Sequence, residues 1–172
     1  MSPFINITLP LSNPGFEGCL TGWDVAKGSP TCVQSGQHSG LNALQLDGTG
    51  RTRLSQTFTL SADTYDFSGW VNAATLPGGG KITIQFKALR SNSAVVRTYT
   101  LAEFEQPTTG WIRVSSSLSL PGSARKGQLL ISAEGTGIDA MLDDLSLRPP
   151  ESPPTMPLIA SAFDGDAAGT DR

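Results

Sequence analysis

Between Thr64 and Ala73 the side chains alternate without interruption. Tyr65, Phe67, Gly69 and Val71 fall on one face, and Asp66, Ser68, Trp70 and Asn72 on the other. A period of two is the mark of a β-strand with one face buried, and no helix can bury that pattern. The same rhythm returns along most of the chain. Leu54, Gln56, Phe58 and Leu60 alternate with Arg53, Ser55, Thr57 and Thr59, and Lys81 to Leu89 places Ile82, Ile84 and Phe86 inward. Further strands are expected over Ile5–Leu9, Trp23–Val33, Ala43–Asp47, Ala94–Leu101, Gly110–Leu120, Gln128–Ala133 and Met141–Leu147. Between them stand Gly-, Pro-, Asn- and Ser-rich turns, drawn from 19 Gly and 12 Pro. Strands at about ten-residue spacing with such punctuation predict an all-β antiparallel sandwich or jelly roll. Thr100 to Gln106 is the only helical candidate.

At 172 residues, with 38% hydrophobic and 16% charged side chains, the chain has the length and composition of one globular domain plus an extension. The domain is expected over residues 1–148. From 149 onward, Pro149-Pro150-Glu151-Ser152-Pro153-Pro154 reads as a polyproline-like spacer. It leads into a segment whose Met156, Leu158, Ile159 and Phe163 are too few for a core, so 149–172 is a linker, a tail or an arm that docks on a neighbouring subunit. A net charge of −3, with scattered Lys and Arg, recruits neither nucleic acid nor an anionic membrane. Apolar runs are too short for membrane insertion. Met1 to Thr8 has no basic n-region and no apolar h-region, so no secretion signal is expected in this chain.

Ser12 to Trp23 mixes several jobs. Asn13-Pro14-Gly15 is a turn, Phe16 and Trp23 are apolar anchors, and Glu17 is a carboxylate beside a buried ring, a costly place unless a cation meets it. Cys19 and Cys32 flank the Gly-rich stretch that follows. A disulfide between them would stabilise the fold by roughly 3 kcal/mol; two free buried thiols are the alternative. Two cysteines and the single His38 do not make a zinc site at any usual spacing.

Five stretches in order carry a family resemblance. These are Asn13-Pro14-Gly15-Phe16-Glu17 with Gly22-Trp23; His38-Ser39-Gly40 with Ala43-Leu44-Gln45-Leu46; Tyr65 to Val71; Trp111-Ile112-Arg113-Val114; and Leu142-Asp143-Asp144-Leu145-Ser146-Leu147. Together they resemble the carbohydrate-binding modules of the family 4/9/22 type, galactose-binding-like β-jelly-rolls, over about Ile5 to Leu147. The resemblance implies a structural calcium tying Glu17 to Asp143, with main-chain oxygens near Ser39 and Asn42. Calcium's demand for several oxygen ligands agrees with that set. By simple alternation Asp143 shares the inward face of Leu145 and Leu147, and Asp144 faces solvent. The plainer alternative is that Glu17 and Asp143 only cap turns or accept backbone N–H bonds.

Sugar binding in such modules uses aromatic platforms and nearby amides. Trp23 and Trp111 match positions that pack the core. Trp70 lies on the polar face with Asn72, and Gln85 and Tyr99 are its expected neighbours in a ligand site. Catalysis is not expected: no nucleophile–His–acid order or phosphate loop is present, and adjacent Asp143 and Asp144 on a regular strand cannot converge on one bond. Two roles follow. One is a non-catalytic glycan-binding adhesion module at an exposed extracellular surface. The other is a structural bacteriophage virion protein, a capsid decoration or tail protein, whose C-terminal arm contacts neighbouring capsid or tail subunits.

Overall fold

The structure, a computed structural model, describes residues 9–151. All but the last residue of the strand expected over Ile5–Leu9, and nearly all of the 149–172 extension, therefore lie outside the described residues. Eight antiparallel strands make one curled sheet with no helix among the described residues: β1 (Asp24–Lys27), β2 (Thr31–Val33), β3 (Ala43–Thr59), β4 (Thr64–Thr75), β5 (Lys81–Leu89), β6 (Val95–Phe104), β7 (Ile112–Ser119) and β8 (Lys126–Arg148). The helical candidate at Thr100–Gln106 is instead the end of β6, where Ala102 and Glu103 pair with Ile84 and Thr83.

Two long strands build both layers of the sandwich. Gly48-Thr49-Gly50 and Glu134 to Gly137 do not end strands, as their composition predicts; they bend them. The first half of β3 pairs with β2 and with the last half of β8, and its second half pairs with β1 and with the first half of β8. The bend falls where the register shifts between Asp47 and Thr49. One layer is thus β2–β3–β8–β4–β7 and the other β1–β3–β8–β5–β6. Glycine permits the sharp local twist that carries a strand from one layer to the next.

The core lies between the layers, where the alternation puts it. Tyr65, Phe67 and Val71 of β4, Ile82, Ile84 and Phe86 of β5, Leu44, Leu46 and Leu54 of β3, and Leu129, Ile131 and Leu142 of β8 are all buried there. Tyr65 keeps its hydroxyl satisfied, because the Ser61 and Ala62 amides donate to it. Phe16 and Trp23 close one end as a stacked pair with centroids 5.3 Å apart. The Cys19 and Cys32 sulfurs are bonded, with Cα atoms 5.2 Å apart, tying the N-terminal turn to the short edge strand β2.

Candidate functional site

A single irregular residue decides where the two late acids point. Ser68 pairs with Ser146 and Trp70 with Asp143, so Gly69 faces two residues of β8, and Asp144 takes the left-handed conformation at φ 48°. This β-bulge resets the alternation. Leu142 lies opposite Val71 on the core side, Asp143 lies opposite Trp70 on the outer side, and Leu145 returns to the core. The inward Asp143 expected from a regular strand is corrected accordingly; Asp144 keeps the outer side expected of it, and the two acids, expected not to converge, reach the same loop.

Both acids meet the loop 36–42. Asp143 is fully buried beneath it and accepts from the amides of His38 and Ser39, each at 3.0 Å, and from that of Asp144 at 2.7 Å. Burial pushes its carboxyl above the ordinary range, and the amides pull against that rise. Asp144 accepts from the Ser39 hydroxyl at 2.7 Å and pairs with His38 Nδ1 at 2.7 Å.

Glu17 reaches the other end of the same loop. Asn13 knots the turn that aims it: its side chain donates to the carbonyls of Cys19 and Thr21 and accepts from the Gly18 amide. The turn is pinned to β8 just past the bulge, where the Leu145 amide donates to the Pro14 carbonyl at 3.1 Å. The Glu17 carboxylate then accepts from the Leu41 amide at 2.9 Å and the Asn42 amide at 3.4 Å, while Asn42 Nδ2 donates to the Glu17 carbonyl at 2.9 Å. Glu17, Ser39, Asn42 and Asp143 are therefore gathered on one loop, from either side. Among the described residues, Asn42 Oδ1 is buried with no donor to accept from. Among the described residues no three His, Cys, Asp or Glu side chains converge as metal ligands. A cation here would draw on amide and main-chain oxygens beside the carboxylates, as calcium does. An unpartnered buried oxygen next to Glu17 fits that demand.

The aromatic residues form one outer cluster. His38 stacks on Trp70 with centroids 4.0 Å apart, and Trp111 meets His38 edge-on at 5.6 Å. Trp111 Nε1 donates to the Gly36 carbonyl at 3.1 Å. Trp111 is thus no core residue; it braces the loop from outside, in contrast to Trp23. Asn72 shares the outer face of Trp70, opposite Met141. Gln85 and Tyr99 do not join them. Gln85 is on β5, in the other layer, and Tyr99 packs toward Phe86 and donates its hydroxyl to the Ser119 carbonyl. The register of β6 puts Tyr99 opposite a core residue, which alternation within one strand does not reveal.

Beyond the cluster, the outer faces of β7, β4 and β8 make a groove of about 790 Å³. Its rows are set by register. Ser117, Asp66 and Arg148 lie side by side; then Ser115, Ser68 and Ser146; then Arg113, Trp70 and Asp143. Pro150 and Glu151 close the end away from Trp70. Sequence reading found Trp70 and Asn72 on this face but missed the serine row, because its members come from three separate strands.

Neither a scan of protein-family models nor a search of curated sequences gives a match. Solved structures do. A family 16 carbohydrate-binding module superposes with a TM-score of 0.66 at 19% identity, covering 83% of this chain and 100% of that one. A family 22 xylan-binding domain from Paenibacillus barcinonensis Xyn10C gives 0.60 at 18% identity, covering 83% and 94%. Tailspike protein 4 of bacteriophage CBA120 gives 0.66 at 10% identity, covering 81% of this chain and 21% of that one. The fold is the β-sandwich jelly roll of carbohydrate-binding modules, in agreement with the family 4/9/22 resemblance read from the sequence.

Proposed function

We propose that the chain is a non-catalytic glycan-binding module that works in adhesion at an exposed, extracellular surface. One observation carries this reading: on a fold shared with carbohydrate-binding modules, a groove is lined by serine hydroxyls and charged side chains, and its Arg113 lies opposite Trp70 of the aromatic cluster. Serine hydroxyls both donate and accept, as sugar hydroxyls require, and a volume of about 790 Å³ lies within the range of ligand sites. Trp70 serves by its edge and by fixing His38, since His38 covers one of its faces. The test is a glycan array probed with wild type and Ser68→Trp, which fills the middle of the groove from an outward position on β4. Binding lost in the variant at unchanged melting temperature supports the groove; binding retained refutes it.

Calcium belongs to the same proposal as a structural ion. Glu17, Asn42 and Asp143, with main-chain oxygens around Ser39, would hold it, and its charge would offset the burial of Asp143. A second reading, a bacteriophage capsid-decoration or tail protein contacting its neighbours through residues 149–172, is favoured by the tailspike likeness alone. Deleting 152–172 would then abolish attachment to particles while leaving the module folded; co-sedimentation with particles checks it.

A further inference from the structure

We infer that the groove selects a saccharide carrying a carboxylate, a uronic-acid-bearing glycan, and that Arg113 is the group that reads the acid. The inference rests on the glycan-binding proposal above and narrows it to a class of sugar. Arg113 is exposed and lines the groove, and among the described residues no acceptor meets its guanidinium. The other charges at the groove are matched. The Ser117 hydroxyl donates to Asp66 at 2.7 Å, Glu151 lies 3.9 Å from the Arg148 guanidinium, and Arg148 stands across from Asp66 in the β4–β8 register. That balanced end is four residues along β4 from the Arg113 row, roughly 13 Å at strand rise. At a row separation beyond the Debye length of about 8 Å, the attraction between Asp66 and Arg113 is largely screened. Asp143, in the same row but two strands over, is about 10 Å away at strand spacing, and it is engaged by three amides.

Guanidinium is a planar fork of five N–H donors that matches a carboxylate in two parallel bonds. Ser115 stands two residues from Arg113 on the same face of β7, with Ser68 opposite it on β4, so ring hydroxyls attached to the bound acid meet hydroxyl partners at once. A neutral sugar offers Arg113 hydroxyl acceptors but no opposite charge, so its bonds there are weaker than those of a carboxylate.

The test is an array of matched oligosaccharide pairs, each hexuronate beside the corresponding neutral hexose, probed at low and high salt. Three proteins are compared: wild type, Arg113→Gln, and Arg51→Gln as a control in the other layer, where Arg51 pairs with Glu134. The expected result is preference for hexuronates in wild type and in the control. In Arg113→Gln that preference falls about tenfold or more, as loss of a hydrogen bond between charged groups predicts, and high salt weakens what remains. Equal binding of neutral and acidic partners, or an acid preference indifferent to Arg113→Gln, overturns the inference and leaves the glycan-binding proposal standing. Binding to no member of any pair overturns both.

Discussion

Asp144 shows how much one residue can redirect. Its left-handed backbone inserts the bulge that moves Asp143 from the core side to the outer side, and its carboxylate holds His38 and Ser39. Residue types alone made the acids visible as a pair, but a bulge leaves no mark in a period-two pattern, so the face of Asp143 was not legible. Asp144→Ala, which keeps a Cβ in the left-handed region and loses both partners, is expected to lower unfolding free energy by about 1–3 kcal/mol in urea titrations. Asp144→Gly recovers the backbone part of that loss. Gly40 is a second such position. At φ 63° it passes so close to Glu17 that a Cβ would collide with the carboxylate. Wild type is expected to melt higher with calcium than with a chelator, and Gly40→Ala, which displaces Glu17, is expected to lose that difference. An equal calcium response in both proteins refutes the role given to Glu17.

At the scale of elements, strands with one clean apolar face were the most legible. β5 spans Lys81–Leu89 as read from its alternation, β4 runs two residues past the expected end, and β7 is two residues shorter at its start. Continuity was not legible. Gly48 to Gly50 and Glu134 to Gly137 carry the composition of turns, and only the pairing of β3 with β8, Thr49 opposite Thr136 among them, makes each a bend within a strand. The same partner effect drew Thr100 to Phe104 into β6 beside β5. The short strand β2 depends on a different tie. Three residues of pairing hold little by themselves, and the Cys19–Cys32 bond anchors them to the N-terminal turn. Reduction is expected to cost roughly 3 kcal/mol, read as a lower denaturation midpoint with reductant at constant calcium.

For the whole molecule, fold and site separate cleanly. The jelly roll is specified by alternation spread over all the strands and survives at the low identity of its structural relatives. The groove depends on a few outward residues of three strands, which the fold leaves free to vary. Removing residues 152–172 is therefore expected to leave both the melting temperature and glycan binding of the module unchanged. The central claim is that sugar is bound on the outer face of the β7–β4–β8 layer. An amide ¹H–¹⁵N titration of the full chain with an oligosaccharide identified on the array tests it most directly. The account predicts shifts concentrated at Ser68, Arg113, Ser115 and Ser146; shifts confined to Thr83, Gln85 and Ser132, on the outer face of the opposite layer, would contradict it.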